Sequence, residues 1–177
     1  MGRSCLVRLV LGGEIKEKEG TTMIAQSVMD ALNKHLVEYQ TVSHPESFSS
    51  AETAVAAHIP DDHIAKGVLV KNSTGYLLVV IPGDKWVNFE RLQDELNRDF
   101  ELAPESEVDR LFPDCCPGAV PPLGYAYDIE TVLDEGLTTL SRVFFEAGDH
   151  ERLILVQNDQ FQILMGGVRH GHFSQSD

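Results

Sequence analysis

Three stretches of this chain carry residues whose types and spacing could do chemistry: DCCPGAVPPLG at 114–124, HIAKGVLVK at 63–71 and AGDHERLI at 147–154. The first packs two adjacent cysteines, three prolines and two glycines into eleven residues. Structural zinc pairs sit two to four residues apart so that both sulfurs can turn toward one ion. Cys115 and Cys116 are neighbours, and neither C-x-x-C nor H-E-x-x-H occurs among the three cysteines and seven histidines. His58 and His63 fall on a helix end and a turn. A cysteine nucleophile needs a histidine base, for which His44 or His150 would serve, but no strand-to-helix elbow surrounds the cysteines. A serine triad lacks its G-x-S-x-G.

What GAVPPLG does supply is backbone shape. Gly118 and Gly124 permit angles and close approaches closed to other residues, while Pro121 and Pro122 fix φ and have no N–H. The remaining amides, that of Ala119 among them, are candidates for holding an oxyanion or a carbonyl. A stiff connector crossing a sheet edge fits the same residues. Lys66 opens an apolar strand, which draws its ammonium toward a partly dry pocket, although a lysine snorkelling at a strand end would look alike. Strand alternation puts Lys66 and Lys71 on opposite faces. Asp149 and His150 occupy a tight connection between two strands, where an acid beside an imidazole is also ordinary turn chemistry.

The elements that must position these residues follow from periodicity. At 177 residues the chain is of one domain's length and can bury an ordinary core. Its three cysteines are too few, and odd in number, for a secreted disulfide framework, so a reducing cytoplasm is expected. No apolar run reaches the roughly 20 residues of a membrane span, and MGRSCLVRLVLGG makes a poor signal peptide because Arg8 interrupts it. Residues 1–22 read as a flexible extension, 23–167 as one domain and 168–177 as a loose polar tail.

Helical spacing starts after Met23 in IAQSVMDALNKHLVEY. TVSHP is extended, and SSAETAVAAHI is a short helix with Ser49 and Glu52 as a capping box. GVLVKNSTGYLLVVIPG is two apolar runs about an NSTG turn. Its lack of alternation predicts a hairpin in mid-sheet, covered on both faces. NFERLQDELN and PESEVDRLF predict helices, YAYDI, TVLD, RVFFEA and RLILVQ predict strands, and NDQFQILMGG predicts a helix with an Asn cap and a Gly stop. Helices that come singly between strand pairs predict an α/β (α+β) fold with a mixed sheet and helices outside it. No internal repeat or Gly-rich phosphate loop occurs.

Taken in order, HIAKGVLVK, YLLVVIPGD, CCPGAVPPLGYAY, TVLDEGL and FFEAGDHERLIL resemble the YbaK/EbsC family, aminoacyl-tRNA editing domains related to the insertion domain of bacterial prolyl-tRNA synthetase. The resemblance covers about residues 24–165. It implies a partly curled mixed sheet with surrounding helices and a free-standing deacylase that hydrolyses the ester of mischarged tRNA in trans without metal or other cofactor. It makes Lys66 the essential lysine and Gly118, Ala119, Val120, Pro121 and Pro122 the G-x-x-x-P loop that shapes the amino-acid pocket. His150, Asp149 and His44 complete the expected substrate-binding set.

The cysteinyl-prolyl-tRNA version of the family carries a Gly-Gly-Arg-Arg-Gly type turn where this chain has Ala-Gly-Asp-His-Glu. That change points to a small amino acid such as Ala, Ser or Thr. The implied partners are the acceptor end of aminoacyl-tRNA and an aminoacyl-tRNA synthetase, with no membrane and no DNA. A net charge of −14 opposes a broad nucleic-acid surface. A few cations from Lys66, Lys71, Lys85, Arg91 and Arg142 would then suffice for a weak grip with shallow salt dependence. The rival expectation is a non-catalytic module of the same fold that docks an amino-acid-like ligand or a synthetase.

Overall fold

The computed structural model describes residues 24–177 in full and residues 7–11 and 14–18 as paired backbone strands. Those two strands, β1 (Val7–Leu11) and β2 (Glu14–Lys18), run antiparallel within the segment read as an extension. Met23, Cys5 and the rest of that segment lie outside the described residues.

The elements then follow as α1 (Gln26–Lys34), β3 (Gln40–Ser43), α2 (Ser50–Ala57), β4 (Ile64–Asn72), β5 (Gly75–Pro82), β6 (Trp86–Val87), α3 (Phe89–Leu96), β7 (Glu101–Leu102) and α4 (Glu105–Leu111). After the proline-bearing loop come β8 (Glu130–Asp134), β9 (Arg142–Glu146), β10 (Arg152–Gln157), α5 (Asn158–Leu164), β11 (Arg169–Gly171) and β12 (Ser174–Gln175). The main sheet has the order β11-β8-β5-β4-β9-β10-β3, with β7 also on β4. Pairing is antiparallel in β4–β5 and β9–β10 and parallel in β4–β9 and β5–β8, so the sheet is mixed. Five α-helices surround it among the described residues.

The β4–β5 hairpin lies at the centre, as its unbroken apolar runs require. Asn72 closes its turn by accepting at Oδ1 from the amides of Thr74 and Gly75. On one face Ala65, Leu69, Leu78 and Val80 join Val28 and Leu32 of α1 and Phe161 of α5. On the other, Val70, Leu77, Val79 and Ile81 pack with Leu92 of α3 and Phe173. α2 begins as the sequence implies, with Ser49 Oγ accepting from the Glu52 amide and Glu52 Oε2 from the Phe48 amide.

Three expectations change. YAYDI is not a strand: residues Gly124–Tyr127 form a 3-10 turn that delivers the chain to β8. Asn158 does not cap α5 but sits inside its first turn and donates through Nδ2 to the Leu137 carbonyl. The tail is not loose, because β11 extends the main sheet beside β8, β12 pairs with β6, and Phe173 is fully buried between them. Its alternating polar residues hid one deeply inserted aromatic.

One feature of the sheet prepares the site. β4 meets β9 only through Ile64 and Ala65 and meets β7 only through Val70 and Lys71. Between those contacts its outer edge has no strand partner among the described residues. The Leu69 carbonyl faces this edge, where it accepts from the Ala103 amide. In an antiparallel pair every second residue turns both backbone groups the same way. The amide and carbonyl of Gly67 therefore also point outward.

Candidate functional site

The open edge of β4 forms one wall of a cavity of about 320 Å³. Residues 66–69 supply that wall, Pro117, Gly118 and Val120 the facing one, and α4 a third with Glu105 and Asp109. The loop can lie so close because residue 67 is glycine. A Cβ there would stand 3.2 Å from Val120 Cγ1 and 3.4 Å from the Pro121 carbonyl oxygen. Gly118 adopts φ +85°, in the left-handed region that glycine enters freely.

The amide proposed from sequence is not the one on offer. Ala119 is buried and donates to the Cys116 carbonyl at 2.9 Å, closing a turn. The amides of Gly118 and Val120 have no acceptor among the described residues. Pro121 and Pro122 are buried and brace the loop from below.

Lys66 borders the same cavity, but alternation along β4 sends its side chain to the face opposite Gly67, the face of Ile81 and Val68. There Nζ donates to the carbonyls of Gly83 at 3.2 Å and Lys85 at 2.6 Å and lies 5.2 Å from the centre of the Trp86 ring. Two of its three N–H groups are thus engaged. Burial pulls the ammonium below the usual lysine range, and the Asp84 carboxylate works against that. The amine and the loop therefore lie on opposite faces of the sheet, on either side of the β4 edge.

The turn between β9 and β10 is stitched to the loop. The Cys116 amide donates to the Gly148 carbonyl at 2.8 Å, and His150 donates through Nε2 to the Pro117 carbonyl at 2.7 Å. Since a carbonyl only accepts, that nitrogen carries the proton. His150 has φ +62° and holds the ring of Phe48 at 5.1 Å. Asp149 does not orient it. Its Oδ1 accepts from the amides of Glu151 and Arg152, and its Oδ2 from Arg152 Nη1 at 2.7 Å. It builds the turn. His44 is buried, with Nδ1 on the Pro45 carbonyl at 2.8 Å and Ser47 Oγ at 3.3 Å. No hydrogen bond of its ring reaches Lys66 or the loop among the described residues.

The thiol reading loses its support at Cys115. Burial pushes the Cys115 thiol well above the ordinary range, and its Sγ lies 3.3 Å from Tyr127 Oη. Such a group is a poor nucleophile, because the thiolate is the reactive form. Among the described residues no three His, Cys, Asp or Glu side chains form a group able to hold a metal ion. Nor is any described helix long and apolar enough to cross a membrane.

Of the cations proposed as a patch, Lys71 is paired with Glu107 at 3.0 Å and Lys85 with Asp84 at 3.1 Å. Arg142 lies over Phe144, and Arg91 is exposed. A larger groove of about 510 Å³ at the β4–β5 turn includes Lys71 and Arg98, but both already face carboxylates. Sequence reasoning missed Glu105 and Asp109. Their i, i+4 spacing on α4 was the available signal.

Comparison with known proteins agrees with this architecture. A solved structure of a candidate trans-editing enzyme for prolyl tRNA synthetase superposes with a TM-score of 0.75 at 21% identity, covering 89% of this chain and all of that one. The crystal structure of hypothetical protein APE2540 gives 0.75 at 23% identity over 85% of this chain and all of its own. Proline–tRNA ligase of Geobacillus thermodenitrificans (strain NG80-2) is 26% identical over 106 residues. That match covers 59% of this chain but only 18% of the ligase. The aminoacyl-tRNA editing domain description matches residues 44–164, from His44 through α5 and so across every wall of the cavity. On that match the chain belongs to the aminoacyl-tRNA editing domain family.

Proposed function

We propose that this protein is a trans-acting deacylase that hydrolyses the ester between a small amino acid, such as alanine, serine or threonine, and a tRNA on which it was wrongly placed. The observation that carries this reading is the cavity shared by the open β4 edge, Lys66 and the two unengaged amides of Gly118 and Val120. The aminoacyl group enters the cavity and the ester crosses the strand edge. The α-ammonium faces Glu105 and Asp109, and the ribose end lies on the Lys66 side.

Water adds to the ester carbonyl carbon, and the oxygen that gains charge is held by the loop amides. The C–O bond to the ribose then breaks, and the proton lost by the water ends on the departing ribose oxygen. The neighbouring ribose hydroxyl helps to activate the water. Lys66 contributes a fixed positive charge beside the terminal ribose and phosphate. Its anchoring on two carbonyls means that little reorganisation is needed at the moment of reaction. An aminoacyl ester is already reactive, so positioning and electrostatics supply the rate without a covalent nucleophile. His150 acts through Pro117 and is a positioning residue.

The net charge of −14 favours a second reading, a non-catalytic module that docks an amino-acid-like ligand or a synthetase. Incubation with tRNAs charged with alanine, serine, threonine and cysteine separates the two. The deacylase reading expects release of at least one small amino acid at a rate unchanged by a chelator. Intact esters throughout would support the docking module.

A further inference from the structure

Trp86 is the single tryptophan of the chain, and its ring is 58% exposed on a protein whose other large rings are mostly covered. Its place is fixed. Val87 beside it is buried in the core, β6 is paired with Ser174–Gln175, and the Asn88 amide donates to the Phe173 carbonyl at 2.8 Å. Lys66 Nζ lies 5.2 Å from the ring centre. The other phenylalanine or tryptophan ring more than half exposed among the described residues is Phe48, at 69%, and it rests on His150. One exposed ring thus neighbours Lys66, which borders the cavity, and the other neighbours His150, which holds the Pro117 carbonyl of its facing wall. The turn bearing Gly83 and the first turn of α2 also touch, since a Cβ at Gly83 would lie 3.3 Å from Ser50 Cβ.

We infer that Trp86 is a stacking platform for the terminal nucleobase of the aminoacylated RNA, an assignment that rests on the deacylase reading above. With the amino acid under the loop and the ester crossing the β4 edge, the terminal nucleoside emerges on the Lys66 face, where the indole stands. The charge balance gives the ring its importance. A chain of net charge −14 cannot hold RNA through many phosphate contacts, so sequence-tolerant stacking is the available source of affinity. Stacking on one aromatic ring changes binding by roughly ten- to a hundredfold. The ammonium close to the ring adds a cation beside the base and the terminal phosphate.

Because the chain has one tryptophan, its fluorescence reports this contact directly. The probe is a short RNA hairpin with a single-stranded CCA 3′ end, uncharged, together with a copy whose terminal base is removed. The full chain is titrated with each, and binding is followed separately by anisotropy of labelled hairpin. The inference expects saturable quenching by the complete hairpin and little by the abasic one. Trp86→Ala should weaken hairpin binding about tenfold, whereas Trp86→Phe, which keeps a ring in the β6 pairing, should stay within about threefold. Hairpin that binds without quenching, or equally well to Trp86→Ala, would overturn the inference and leave the ring to a protein partner. Failure of the hairpin to bind at all would also overturn it. Quenching does not depend on hydrolysis, so it persists even if every ester proves stable.

Discussion

Glu146 carries a carboxyl that the proposed chemistry does not use and the fold does not pair. Its Oε2 is buried without a hydrogen-bond partner among the described residues. Burial, with Asp149 nearby, pushes its pKa up to about 8. The native chain thus holds a proton on Glu146 between about pH 4.5 and 8 that the unfolded chain has released. Stability from this group is present at low pH, falls as pH rises through that window, and levels off above it. Glu146→Gln should therefore match the wild type near pH 4.5 and exceed it at pH 9 by up to about 5 kcal/mol. Thermal melts at the two pH values check this, and a variant less stable at pH 9 would contradict it. At this scale the sequence was legible where a residue's placement follows from its own chemistry. Lys66 at the head of an apolar strand is partly buried, and His150 reaches the loop. It was illegible where the role depends on a turn. Asp149 and the Ala119 amide looked functional, yet each closes its own turn.

Among the elements, the strand β4 does more than its apolar pattern announced. The pattern predicts a central, doubly covered strand, and it is one. Pattern cannot predict that its outer neighbours stop short of residues 66–69, because that depends on where β7 and β9 end. Gly67 is the residue through which strand and loop fit. A valine there would meet Leu78 Cδ1, Val120 Cγ1 and the backbone of Pro121, and a carbonyl braced by two buried prolines cannot yield as a side-chain tip can. Gly67→Val should displace the 118–122 loop and lower kcat/KM by about 10–100-fold, since misplacing a catalytic group by about 1 Å has effects of that size. Steady-state kinetics test it, and unaltered kcat/KM in a folded variant would argue that the loop does not hold the ester. The tail shows the same limit from the other side. Its polar composition gave no hint that Phe173 inserts between β6 and the sheet, an arrangement visible only once β11 and β12 are paired.

For the whole molecule, a mixed sheet with helices outside it was readable from the order of elements, and the match to the editing-domain family spans residues 44–164. Less readable was the geometry by which the sheet divides the site, with the loop over one face at Gly67 and the ammonium on the other at Lys66. A substrate must bend around the strand edge to touch both, which suits an ester joining a small acyl group to a bulky nucleoside. On the deacylase reading proposed above, the acidic surface would limit contact to the end of the RNA. Whether the two halves act on one bond is tested most directly by single-turnover hydrolysis of a mischarged tRNA by the wild type and Lys66→Ala at saturating protein. The account predicts a rate at least about 100-fold lower for the variant, the effect of losing one preorganised electrostatic contact, with the melting temperature little changed. Hydrolysis by Lys66→Ala at the wild-type rate would contradict it.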